Sequence, residues 1–137
     1  TDGYKPTSLN VTPSSDGMSV SLGAGAWGIC SAVRIDFPTA LTSAEYGKLV
    51  LRIKFDTDMS NKTLRISNIG TNIFPRTGGN NFFEGSEMTG EYIDYVVDLS
   101  AYPEAALSGI QLCFLTTDSS SVGVIDFTIQ SISLQLE

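Results

Sequence analysis

Nucleophilic catalysis needs a base beside the nucleophile, and histidine, which usually supplies it, does not occur among these 137 residues. The two cysteines, Cys30 and Cys113, fall inside strand-like runs, where a thiol is either a small buried hydrophobe or half of a disulfide. With no CxxC pair and no histidine they cannot frame a zinc or redox site. Carboxylates remain: Glu45, Glu84, Glu87, Glu91, Asp94, Asp98 and Asp126 could face each other across strands, as glycoside hydrolysis requires. Each is explained as well by a solvated loop or an outward strand position, and the chain is short for an enzyme that must surround a sugar. These residue types point away from catalysis and towards binding.

Sugar recognition asks for flat aromatic faces against the C–H side of a pyranose and planar polar groups for its hydroxyls. The residues that supply both are Trp27, Arg76, Asn80, Asn81, Phe82, Tyr92 and Gln111, and these are the expected ligand contacts. Trp27 is flanked by Gly25 and Gly28, so its indole is either displayed on a turned backbone or buried as core. Arg76, Asn80 and Asn81 lie beside Phe82 and Phe83 in a Gly-rich stretch, which suits the rim of a glycan cleft and also suits an ordinary turn. Tyr92 and Tyr95 are three apart and so face opposite ways along a strand. Parity with Ile93, Val97 and Leu99 buries Tyr95 and leaves Tyr92 outward with Asp94, and the same count puts Arg34, Arg52 and Gln111 outward.

These groups have to be positioned by strands. Apolar residues recur at every second position in Leu49, Leu51, Ile53 and Phe55, in Ile93 to Leu99, in Ile110, Leu112 and Phe114, and in Ile125, Phe127 and Ile129. After Gln130 and Ser131 the parity shifts to Ile132, Leu134 and Leu136, which calls for a β-bulge. Lys62 to Asn68 is read as the return strand of a hairpin with 48–55. Met18, Val20 and Leu22 form an early strand, and Val33, Ile35 and Phe37 another that Pro38 should end. Thr42 to Tyr46 is read as one helical turn, 71–90 as the least regular part, and residues 1–17 as a linker leading into a single module over 18–137. Eight or nine strands without a helical period make an all-β, two-sheet antiparallel β-sandwich, a jelly roll rather than an immunoglobulin-type sandwich.

Composition sets the outer limits. Hydrophobic residues make up 42% and charged ones 17%, which excludes a disordered chain. A net charge of −7 repels phosphate backbones and anionic lipids, so neither nucleic acid nor membrane is an expected partner. Starting at Thr1 without a leader, the sequence reads as a mature protein or a module cut from a longer one, secreted or at the cell surface.

Tyr46-Gly47 leading into KLVLRIKF, a hairpin, then EYIDYVVDLSAYP, GIQLCF and a last strand ending ISLQL together resemble the jelly-roll carbohydrate-binding modules of polysaccharide-degrading bacteria. The resemblance spans residues 18 to 136 and is a pattern of strands, not a signature motif. It implies a non-catalytic domain tethered to a glycoside hydrolase and binding a neutral polysaccharide, with a plant β-glucan or a xyloglucan-type hemicellulose favoured. The alternative is a structural or adhesive sandwich of a bacterial surface protein. Many relatives hold a structural calcium through an Asp-rich final strand, whereas this chain has Gln130-Ser131 there, so no metal or other cofactor is expected. Asp16, Asp118 and Asp126 are read as turn residues.

Overall fold

In a computed structural model, residues 5–42, 47–68, 73–77, 79–101 and 106–135 are described, the side chains of 38–42 and 106–107 excepted. They form nine strands: β1 (Leu9–Ser14), β2 (Gly17–Leu22), β3 (Cys30–Thr42), β4 (Lys48–Phe55), β5 (Lys62–Asn68), β6 (Phe83–Glu84), β7 (Ile93–Asp98), β8 (Ala106–Thr116) and β9 (Ile125–Gln135). Two antiparallel sheets result, one in the order β1-β2-β9-β4-β7 and the other β3-β8-β5-β6. This is the expected all-β sandwich, and its core is the alternating set read from the sequence. Leu49, Leu51, Ile53, Phe55, Ile110, Leu112, Phe114, Ile125, Phe127 and Ile129 are all buried.

Burial along β4 alternates strictly, with Lys48 exposed and Leu49, Leu51, Ile53 and Phe55 inward. The two inner faces meet through rings. Phe55 packs edge-on against Tyr95 and Phe114, each at 5.9 Å between centroids, and lies 5.5 Å from Phe127. Tyr95 also takes Phe83 edge-on at 5.1 Å. Phe114 and Phe83 belong to the four-stranded sheet and the others to the five-stranded one, so the Phe55–Phe114 and Tyr95–Phe83 contacts span the sandwich.

Strand β9 carries the expected bulge. Arg52 pairs with Ser131 and the next residue, Ile53, pairs with Ile129, so Gln130 has no partner on β4. The extra residue restores parity, and Ile132 and Leu134 pack against the core.

Three expectations need correction. First, β4 and β5 are not a hairpin: β4 pairs with β7 and β9, β5 with β6 and β8. The six residues Asp56 to Asn61 are enough to carry the chain from one sheet to the other, and this lets both apolar faces point into one core. The crossing is pinned by buried Met59 and by Lys62, whose ammonium donates to the Asp58 carbonyl and to Asn61 Oδ1, both at 3.0 Å. Second, Pro38 does not end β3. Ladder pairing passes from Asp36↔Gly109 to Leu41↔Leu107, so four residues of β3 stand against Ser108 alone. The proline sits in this irregularity, where no ladder hydrogen bond is asked of it. Third, the segment read as a linker contains β1, an edge strand on β2 whose six residues are all exposed. An edge tolerates Pro13 and needs no inward face, so its sequence carries little strand signal. The helical turn read at Thr42–Tyr46 begins at the last residue of β3 and otherwise lies outside the described residues.

Leu51 is fully buried between the sheets. Leu51→Ala is therefore expected to cost about 2 to 5 kcal/mol, through lost transfer energy and the cavity left behind. A denaturant titration checks this, since an unshifted midpoint would mean that Leu51 is not core.

Candidate functional site

With alternate residues committed to the core, only outward residues and connections can make a site. On the four-stranded sheet the outward set reads across three strands: Arg34, Gln111 and Ser67 form one row, and Ala32, Cys113 and Arg65 the next. Two depressions flank β8 on this face. One, of about 490 Å³, lies between β3 with Gln111 and the N-terminal segment Lys5, Pro6 and Leu9. The other, of about 520 Å³, is lined by Arg65, Ile73, Gly79, Asn80, Asn81 and Phe82. They lie on either side of β8, one walled by the N-terminal segment and the other by the 79–82 turn, and we call this face the groove.

Both walls are held by backbone bonds. Pro6 bridges to Gly25, Thr7 N–H donates to the Ala24 carbonyl at 2.9 Å, and Gly23 N–H donates to Ser8 at 2.8 Å. A Cβ at Gly23 would fall 2.4 Å from Ser8 Oγ, so a bare backbone at this position allows the approach. The other wall leaves β5 through the Ser67–Ile73 bridge and the buried ring of Phe74. It then reaches β7, where Arg76 bridges to Val97 and Asp98 N–H donates to Pro75. It turns back over Gly79, with Arg76 N–H donating to Asn80 at 2.9 Å, and enters β6 at Phe83. This turn is what brings Asn80, Asn81 and Phe82 beside Arg65.

The seven expected ligand residues are thus divided. Asn80, Asn81 and Phe82 line one depression on the outer face of the four-stranded sheet, and Gln111, on β8, lines the other. Tyr92 lies on the outer face of the other sheet, where Lys54 and Arg52 stand over its ring at 5.4 and 5.6 Å. Arg52 is held in turn by Asp94 and Gln130. Trp27 is 61% exposed in the connection before β3, which decides between display and burial in favour of display.

Arg76 is at the side of the sandwich, engaged within the protein. Its guanidinium donates in two parallel bonds to Glu87, 2.7 and 3.0 Å, and covers the Phe83 ring at 4.5 Å. Glu87 ends a short 3-10 turn, Gly85–Glu87, and its carboxylate also accepts from Glu84 N–H. A Cβ at Gly85 would fall 1.5 Å from the Met59 carbonyl, so only glycine lets the turn lie against the 56–61 crossing. Arg76 and Asp94 also line a depression of about 400 Å³ with Lys48, Val50 and Val96. The ring it offers, Phe83, is buried beneath Arg76.

The sequence reasoning missed Arg65, Ile73 and the N-terminal wall. The outward parity of Arg65 on β5 was available as a signal. Nothing in the order of residues places Lys5 beside β3.

Glu45 lies outside the described residues; among the described carboxylates Asp56 and Asp126 line one small depression, and several others are engaged elsewhere. Glu87 is paired with Arg76 and Asp94 with Arg52, while Asp98 and Asp118 accept from Ser100 and Ser120 in local turns. Among the described residues no group of three His, Cys, Asp or Glu could hold a metal ion. No helix among them is long and apolar enough to cross a membrane. The Cys30 and Cys113 thiols are not bridged. Burial pushes both thiols up from their ordinary range, which makes them poor nucleophiles at neutral pH.

No protein-family model matches the chain, and no curated protein does. Solved structures do match in fold. The xylan-binding module CBM15 aligns with a TM-score of 0.53 at 16% identity, over 96% of this chain and 86% of that one. The low-affinity xylan-binding module CBM86 of Roseburia intestinalis aligns at 0.56 and 12% identity, over 99% and 91%. A carbohydrate-binding module specific for non-crystalline cellulose, CBM28, aligns at 0.58 and 12% identity, over 98% and 83%. The fold is therefore the β-sandwich of carbohydrate-binding modules.

The hydrogen bonds from Arg76 hold the Glu87 carboxyl below its ordinary value of 4.5. A depressed folded-state value means that this pair stabilises the fold above the unfolded carboxyl's range and that the contribution fades as pH falls through the folded value. Parent and Glu87→Gln are expected to differ by up to about 1 kcal/mol at neutral pH, the scale of a partly exposed pair. The gap should close in acid, as paired denaturation curves across pH would show.

Proposed function

We propose that this chain is a non-catalytic module that binds a β-linked polysaccharide in the groove on the outer face of the four-stranded sheet. The backbone we favour is xylan or an unsubstituted or xylosylated β-glucan, and the module would deliver an attached glycoside hydrolase to it outside the cell. The observation that carries this reading is that Gln111 and the Asn80–Phe82 turn line the two depressions flanking β8 on one outer face, in a sandwich of this fold. The amides offer donors and acceptors side by side for vicinal hydroxyls, and the half-buried Phe82 offers a ring face. The folds of the xylan- and cellulose-binding modules support the ligand class.

The opposite face is less suited. Its ring, Tyr92, is overlain by Arg52 and Lys54, so a sugar would have to displace two cations to stack. Glu87 and Asp94 are tied up in ion pairs and Asp98 and Asp118 in local turns, which favours binding over catalysis. Trp27 we assign to one end of the bound chain, just ahead of Cys30.

Affinity electrophoresis in xylan, β-glucan and xyloglucan gels, followed by calorimetry on the polymer retained, tests this. Phe82→Ala and Trp27→Ala are each expected to weaken binding by about 2 kcal/mol, the size of a hot spot. The melting temperature of Trp27→Ala should hardly move, since a side chain this exposed contributes little packing. Tyr92→Ala should bind as the parent does. Loss of binding in Tyr92→Ala with Phe82→Ala unaffected would move the site to the five-stranded sheet.

A further inference from the structure

The charge of the groove runs against the charge of the protein. Among the described residues its two depressions are lined by Lys5, Arg34 and Arg65 and by no carboxylate, in a chain whose formal net charge is −7. Arg34 is already engaged, with its Nε 2.7 Å from Asp36 Oδ1. Arg65 and Lys5 take part in none of the ion pairs among the described residues.

Arg65 leaves β5 on the outer face beside Cys113, close enough for its positive charge to work against the burial that raises that thiol. It shares its depression with the amides of Asn80 and Asn81. Towards a wholly neutral chain a cationic strip can only donate hydrogen bonds, and its charge is unused. The same strip draws in an anionic group and holds it by the guanidinium fork, which matches a carboxylate in two parallel bonds.

We propose, resting on the polysaccharide reading above, that the groove selects chains whose neutral β-linked backbone carries uronic-acid branches, with Arg65 pairing the branch carboxylate. The spacing of the cations favours branches over a polyuronate. Arg65 and Arg34 are two strands apart and offset by two residues, so their Cα atoms are about 12 Å from each other on ordinary strand spacing and rise. Charges this sparse suit an occasional carboxylate. A backbone with one on every ring would leave most of its charge uncompensated against a net-negative protein.

Calorimetry on the intact chain with a glucuronic-acid-branched xylan, and with the same polymer after its carboxyls are reduced to alcohols, tests the proposal. At low salt the carboxylated polymer is expected to bind about fivefold more tightly, the value of an exposed ion pair, and high salt should erase the difference. In Arg65→Gln the ratio between the two polymers should fall to near one, and in Arg65→Lys it should partly survive. Equal binding of both polymers by the parent would overturn the carboxylate selection and leave the polysaccharide reading standing. Binding of neither, and of no neutral β-glucan, would overturn that reading itself. A polygalacturonate bound as tightly as the branched xylan would refute the preference for branches, and a ratio unchanged in Arg65→Gln would refute the role of Arg65.

Discussion

The edge-on ring contacts Phe55–Phe114 and Tyr95–Phe83 hold the two sheets together across the core, and the rest of the structure is arranged around them. Edge-to-face packing of this kind is worth roughly 0.5 to 1.5 kcal/mol per pair beyond the burial of the rings, and it is directional. It fixes how β4 and β7 of one sheet lie over β8 and β6 of the other. Once they are fixed, the 56–61 crossing has a set span, and Met59 and Lys62 close it from inside. The Gly85–Glu87 turn then rests on that crossing and aims Glu87 at Arg76, which seals the outer side of the Phe83 ring.

This dependence explains the division of labour between polar residues. Arg76 and Glu87 use their full hydrogen-bonding geometry on each other, so they rigidify the wall that carries Asn80, Asn81 and Phe82. Those three, together with Gln111 on the central strand β8, are left on the surface with planar groups that a ligand can meet. Hydrogen-bonded strands supply the floor and tethered loops the sides, so on the proposed reading little conformational entropy would be lost on binding a chain.

The two outer faces also differ in what their charges do. On the five-stranded sheet Arg52 meets Asp94 and Gln130 and Lys54 meets Asp56, so cations and carboxylates largely satisfy each other around Tyr92. On the four-stranded sheet the basic residues line a groove from which carboxylates are missing among the described residues. A site for a ligand needs polar groups that the fold has not already consumed, and this physical difference separates the faces more clearly than residue types do.

The sequence by itself determined the strands that have one wet and one dry face. Period-two alternation in 48–55, 93–98, 110–114 and 125–129 follows directly from side chains that point to opposite sides of a pleat, and the parity shift after Gln130 marked the bulge in β9 for the same reason. It also placed Tyr95 inward and Tyr92, Arg34, Arg52 and Gln111 outward. Only the tertiary structure decided which strands share a sheet, because alternation does not record partners: β4 and β5 look like a hairpin and lie in opposite sheets. It likewise decided that Gln111 and Tyr92, both outward, are on opposite faces of the molecule. Strand β1 stayed hidden because its alternation of Leu9 and Val11 with Asn10 and Thr12 is cut short by Pro13 and buries no side chain. Whether Arg76 would meet a ligand or Glu87 could not be read either, since that depended on a long-range contact made through Gly85 and Met59 and not on anything adjacent to Arg76 in the chain.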